Sequence, residues 1–147
     1  MFRIVFAPSG ALVIALITAL LPGAEAAELV VNVSGIEAAA GQIGCSLYAE
    51  PKGFPMDNSG ALMQWLPAEP KGVTCRFAAL ADGSYAVSVA HDLNGNRKVD
   101  TNFLGIPTEA WGVSRNARPS LRAPRFEEAV FKVAGGKDQT IEIKVAK

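Results

Sequence analysis

Apolar and polar residues alternate along several short segments between residues 27 and 147, which is the pattern of strands with one buried face. The predicted inward rows are Leu29, Val31 and Val33; Ile43, Cys45, Leu47 and Ala49; Val73, Cys75 and Phe77; Tyr85, Val87, Val89 and His91; Ala129, Phe131 and Val133; and Ile141, Ile143 and Val145. Glycine, proline and asparagine separate these rows, and the sequence between them has no convincing helical period. The pattern predicts an all-β fold, an immunoglobulin-like or prealbumin-like antiparallel β-sandwich.

Two local features refine this prediction. The sequence Asp82-Gly83-Ser84-Tyr85 is typical of a corner in such sandwiches, where the tyrosine hydroxyl bonds back to the backbone. Residues 61–66 fit either a strand or a helical turn, and we interpret Trp65 within them as a packing residue.

The first 26 residues have a different character. A positively charged start precedes an uncharged, mostly apolar run at 4–21, which ends at Pro22 and is followed by small residues up to Ala26. This order is typical of a secretory signal peptide, whereas a membrane anchor would not need the small-residue site. We therefore expect a signal peptide over 1–26 and one periplasmic or secreted domain over 27–147, with no membrane span after the signal is removed.

Charge and cysteine content narrow the function classes. The chain has 14 Lys and Arg against 14 Asp and Glu, so it lacks the basic field that collects nucleic acid. Cys45 and Cys75 both lie in inward rows, and in an oxidising compartment we expect them to form a disulfide. A bridge across a loop of this length stabilises a domain by roughly 3 to 4 kcal/mol. A redox-active pair would need a C-x-x-C motif or an exposed reactive thiol, and neither is visible.

A long ordered loop is predicted over 91–126, which lacks a strand pattern but is rich in aromatic and aliphatic residues. Its first part spaces oxygen ligands as a calcium loop does: Asp92, Asn94, Asn96, the carbonyl of Lys98, and Asp100. Arg97 stands where such loops usually have glycine, and Phe103 stands where they have glutamate. Two interpretations stay open. The loop is a weak calcium site, with Kd on the order of 10⁻⁴ to 10⁻³ M, or a metal-free turn whose side chains bond their own backbone.

The second part of the loop supplies a candidate ligand or partner surface: Glu109, Trp111, Ser114 and Asn116. The alternative is that these residues only anchor the loop on the sandwich. We do not expect an enzyme, because no serine has a nucleophile setting and one histidine cannot build a hydrolytic metal centre. A hydrolase acting through His91 and Glu109 is the remaining catalytic hypothesis.

The motifs around this loop resemble those of a known family, the bacterial secreted proteins catalogued as domain of unknown function 2141. The similar segments are YAVSVAHDLNGN at 85–96, DTN at 100–102, GIPTE at 105–109, WGVS at 111–114, NA at 116–117 and PRFEEA at 124–129. The resemblance covers nearly all of the chain after the predicted signal peptide, although the family commonly has glycine at the position of Arg97. It implies a secreted, single-domain, sandwich-like protein and brings no established activity.

Together these observations favour a non-catalytic periplasmic module that binds an unknown small ligand or an envelope protein through residues 92–116. Calcium is the one cofactor to consider, as an ion that stiffens the first part of the loop. The alternative is a purely structural envelope interaction domain without a metal.

Overall fold

The computed structural model describes residues 26–147, so the predicted signal peptide, apart from its last residue, lies outside the described part of the chain. The strands are β1 (Ala27–Ser34), β2 (Gln42–Tyr48), β3 (Leu62–Pro67), β4 (Val73–Leu80), β5 (Gly83–Asp92), β6 (Trp111–Val113), β7 (Phe131–Val133) and β8 (Gln139–Lys144). A 3₁₀ turn at Ser114–Asn116 follows β6, and a single helical turn, α1 (Phe126–Ala129), precedes β7. The all-β prediction is confirmed.

The strands form two sheets. The smaller has the order β4-β1-β8 and the larger the order β3-β2-β5-β6, with β7 paired to the beginning of β5. All pairs are antiparallel, as predicted for the sandwich, except β1 with β8, which is parallel. These two strands lie at opposite ends of the domain sequence, so no hairpin turn joins them and imposes an antiparallel direction.

The inward rows of the two sheets pack into one core, as predicted. Leu29, Val31, Ile43 and Ile143 are fully buried there. The two sheets are also joined covalently, because Cys45 of β2 and Cys75 of β4 form a buried disulfide with an S–S distance of 2.05 Å. Two members of the predicted rows differ: Ala49 is exposed just beyond β2, and Ala129 belongs to α1.

The local predictions can also be compared with the structure. The hydroxyl of Tyr85 donates to the carbonyl of Ala81 at 2.9 Å, which confirms the tyrosine corner. Residues 62–67 form strand β3 rather than a helical turn. The ring of Trp65 in this strand lies over Gly44 of β2, since a Cβ atom added at Gly44 would come within 2.4 Å of it.

A second, smaller apolar cluster lies on the opposite face of the larger sheet. It contains Tyr48, Ala86, Val113, Phe126 and Ala129, so α1 covers one end of this face. The loop after β5 lies at its other end, and the sheet surface between them is partly open. Within residues 26–147 the structure contains no helix long and apolar enough to cross a membrane.

Candidate functional site

The turn that follows β5, residues 92–100, is organised by a buried carboxylate. Asp92 accepts the N–H of Gly95 at 2.8 Å with Oδ1 and the N–H of Arg97 at 2.6 Å with Oδ2. Arg97 has a φ of 60°, the left-handed conformation that favours glycine. The turn thus keeps a left-handed residue at this position although arginine stands where calcium loops usually have glycine. Both carboxylate oxygens of Asp92 therefore accept hydrogen bonds from backbone N–H groups of the turn.

The other predicted ligands of the turn contact one another. Asn94 and Asn96 donate through their Nδ2 atoms to the two carboxylate oxygens of Asp100, at 2.6 and 2.7 Å. Their Oδ1 atoms each accept a backbone N–H two residues further on, at 3.0 Å. This is the geometry of Asx turns. In the described part of the chain, no three His, Cys, Asp or Glu side chains form a group that could hold a metal ion.

Glu109 ties the two ends of this turn together. Its buried carboxylate accepts the N–H of Leu93 at 2.8 Å with Oε1 and the N–H of Asp100 at 3.0 Å with Oε2. His91, the partner of Glu109 in the hydrolase hypothesis, is also buried, and its Nε2 lies 2.8 Å from the carbonyl of Ala40. Both carboxylate oxygens of Glu109 and the Nε2 atom of His91 are thus bonded to the backbone.

Ser114 and Asn116, two further residues of the predicted ligand surface, also bond to the backbone. The buried Oγ of Ser114 donates to the carbonyl of Ala129 at 2.6 Å and accepts the N–H of Val87 at 2.9 Å. The side chain of Asn116 pairs with the edge of β8, since its Oδ1 accepts the N–H of Lys144 at 2.8 Å. Of the four predicted surface residues, Trp111 alone lines an opening.

That opening is a cleft of about 700 Å³ between residues 104–107 and 118–124. Its lining includes large apolar side chains that are exposed: Leu121 (99%), Leu104 (68%), Ile106 (56%) and Met56 (52%). Sequence reasoning did not identify the 118–124 wall. The signal present there was Leu121 between two prolines, Pro119 and Pro124, in a polar stretch without a strand pattern.

A smaller cavity of about 40 Å³ adjoins the cleft on the sheet surface and shares Trp111 with it. Its floor follows one row of directly paired residues across four strands: Trp65, Gly44, Ala90 and Trp111. Because the two central residues are small, space remains between the tryptophans, and Ser46 and Ser88 continue the floor.

The charged residues that line the two openings are all basic: Arg97, Lys98, Arg118, Arg122 and Lys147. Arg118 stacks over the Trp111 ring, with its Cζ atom 4.1 Å from the ring centroid. Its Nη2 donates to the carbonyls of Trp111 and of Ala146, the latter at 3.1 Å. Arg122 instead pairs with Glu128 through two hydrogen bonds of 2.7 and 2.8 Å, and this guanidinium lowers the pKa of Glu128 to about 2.

Comparison with known proteins gives one match. No curated protein and no solved structure matches the chain. The family model for an uncharacterised protein conserved in bacteria, DUF2141, matches residues 31–142, a range that begins in β1, ends in β8 and includes the turn, the cleft walls and the disulfide. The chain belongs to this family of uncharacterised bacterial proteins, DUF2141.

Proposed function

We propose that this protein is a non-catalytic binding module of the bacterial periplasm and that its cleft binds the apolar part of a small ligand. The observation that carries the proposal is the exposure of Leu121, Leu104, Ile106 and Met56 around one cleft. Exposed apolar side chains gathered at one place are typical of binding surfaces, because a folded domain otherwise gains by burying them. The cleft volume is within the range of small-molecule sites.

The surroundings of the cleft support the same proposal. Trp111 belongs to a strand, and the 118–124 wall is attached to α1 by the pair of Arg122 with Glu128. A binding surface that is held by such contacts loses little conformational entropy when a ligand binds. The buried disulfide is compatible with an oxidising compartment and so with the proposed location. A purely structural module would not need an open apolar cleft.

Titration with the neutral fluorescent dye N-phenyl-1-naphthylamine tests the cleft. The informative variant is Leu121→Ser, because Leu121 is exposed and its replacement should leave the fold intact. Each methylene that a ligand covers contributes about 0.8 kcal/mol, so loss of this wall should weaken dye binding by about fivefold to thirtyfold.

The matched control is Leu62→Ser. Leu62 is also exposed, but it lies on β3 and lines neither opening. We expect dye binding to be unchanged in this variant. A protein that does not bind the dye, or an equal loss of affinity in both variants, would contradict the proposal.

A second candidate function is calcium binding at the turn 92–100. It is favoured by the convergence of Asn94 and Asn96 on the carboxylate of Asp100. If both amide groups rotated by half a turn, their Oδ1 atoms would face the carboxylate, an arrangement that only a cation stabilises. The rotation would also break the two hydrogen bonds that the amide oxygens accept from the backbone. We therefore propose weak calcium binding at most.

The calcium proposal is tested by thermal unfolding of the oxidised domain with calcium and with a chelator. A ligand that binds only the folded state raises Tm. The double variant Asn94→Asp with Asn96→Asp provides carboxylates that can accept the backbone N–H and bind the ion together, so calcium should raise its Tm more than that of the wild type. If millimolar calcium changes neither Tm, this second candidate fails.

A further inference from the structure

We infer that the ligand of the cleft is an amphipathic anion, a single aliphatic chain with a carboxylate or phosphate group, and that Arg118 binds the anionic group. The inference rests on the proposed function, because it names the chemical class that the same cleft would take. It follows from the distribution of charge around the cleft and from the geometry of Arg118.

The distribution of charge is uneven. The whole chain carries equal numbers of basic and acidic residues, 14 of each, yet the two adjoining openings are lined by five basic side chains and by no Asp or Glu among the residues that the structure describes. Basic side chains around low-dielectric walls attract anions and disfavour cations. The net charge of zero therefore conceals a local preference for negative ligands.

Arg118 is held in place for such a ligand. Stacking on Trp111 and the two carbonyl acceptors fix the guanidinium plane at the cleft wall. Both hydrogen bonds use Nη2, and within residues 26–147 no carboxylate forms an ion pair with Arg118. The N–H groups of Nη1 and Nε are thus available, and the planar guanidinium suits the oxygens of a carboxylate or phosphate.

The other two arginines at the openings already have a partner. The charge of Arg122 is matched by Glu128, and the guanidinium of Arg97 lies over Trp65 at the far side of the smaller cavity, 5.7 Å from the ring centroid. Of the two guanidinium groups that line the cleft with the apolar wall of Leu104 and Leu121, that of Arg118 is held in place without a paired carboxylate among residues 26–147. An anionic group bound at Arg118 would leave an attached aliphatic chain along that wall.

The first experiment needs no variant. Isothermal titration calorimetry compares three single-chain probes with the same tail: decanoate, decanol and decyltrimethylammonium. We expect decanoate to bind about tenfold or more tightly than decanol, because a charge-assisted contact adds roughly that much, and decyltrimethylammonium to bind most weakly. Added salt should weaken decanoate binding and leave decanol binding unchanged.

The second experiment tests Arg118 itself. In Arg118→Gln, decanoate affinity should fall about tenfold while decanol affinity stays within about twofold, since the apolar wall is retained. Arg76→Gln removes the same charge from the smaller sheet, where the exposed Arg76 pairs with Glu28, and should change neither affinity. Thermal unfolding of both variants confirms that they are folded.

The outcomes separate this inference from the proposed function. If no probe binds, both the cleft proposal and the anion inference fail. If decanoate and decanol bind equally well, the cleft proposal stands and the inference fails. If the wild-type protein binds anionic phospholipid vesicles but not dissolved decanoate, a membrane surface rather than a single-chain anion is recognised, and the inference also fails.

Discussion

Replacement of Glu109 by glutamine tests how the turn 92–100 is stabilised. The substitution keeps the size of the side chain but replaces one of the two acceptor oxygens by an amide nitrogen. One of the N–H groups of Leu93 and Asp100, now 2.8 and 3.0 Å from the carboxylate, would then face a donor in a buried position. A hydrogen bond to a charged group contributes about 1.5 to 3 kcal/mol, so we expect the free energy of unfolding to fall by about 2 to 3 kcal/mol.

For a domain of this size, 1 kcal/mol corresponds to a change in Tm of roughly 4 °C, so Glu109→Gln should lower Tm by about 8 to 12 °C. Differential scanning calorimetry measures this change, and amide hydrogen exchange should show faster exchange at Leu93 or Asp100. The control is Glu37→Gln, at an exposed position. A Tm within about 2 °C of the wild type, with both amides still protected, would refute the assignment of Glu109 as the tie between the two ends of the turn.

Three further changes test the scaffold. Replacing both Cys45 and Cys75 by alanine should lower the free energy of unfolding by about 3.5 kcal/mol in urea, and an unchanged urea midpoint would contradict this. The contact of the half-buried Trp65 ring with Gly44 predicts that Gly44→Ala displaces the ring and shifts its fluorescence emission, since the added Cβ would lie 2.4 Å from it. Arg122 lowers the folded-state pKa of Glu128 from 4.5 to about 2. The Glu128 carboxylate therefore stabilises the fold above pH 4.5 and loses that effect as the pH falls towards 2. Urea unfolding across this pH range should show a flatter dependence of stability on pH for Glu128→Gln than for the wild type.

The alternation of apolar residues was sufficient to predict the sandwich core. Strands β1, β2, β4 and β5 each have at least seven residues and direct every second residue into the core, so their period of two is clear in the sequence. The same rows placed both cysteines inward, which agreed with the disulfide expected from the predicted signal peptide and the oxidising compartment it implies. The parallel pairing of β1 with β8 could not be predicted, because alternation identifies a buried face but not the direction of a neighbouring strand.

Short elements were harder to predict. Strand β6 has three residues and lies inside the segment that was predicted to be a loop. Three residues are too few for a periodic pattern, and this strand depends on tertiary pairing with β5 and with Ala146. The same reason applies to α1, whose four residues make a single turn.

Arg97 shows how local sequence rules and tertiary structure combine. A non-glycine residue in the left-handed conformation costs about 1 kcal/mol, so glycine would be the expected residue at its φ of 60°. Its guanidinium lies over Trp65, a contact that offsets part of this cost. The sequence marked the position as a departure from a calcium loop, but the contact with a distant strand could be seen only in the fold.

The polar residues that were most conspicuous in the sequence are used by the backbone. Buried polar groups must be hydrogen-bonded, and Asp92, Glu109 and Ser114 meet that requirement entirely within the fold. Their oxygen atoms hold a turn and a strand edge in place, which leaves less capacity for a ligand. The groups that can still contact a ligand are the exposed apolar side chains of the cleft and the free N–H groups of Arg118. Leu104, Ile106, Arg118 and Leu121 come from the long loop after β5 and Met56 comes from a distant segment. They show no periodic pattern, so the cleft emerges only when residues 104–107 and the 118–124 wall are folded next to each other.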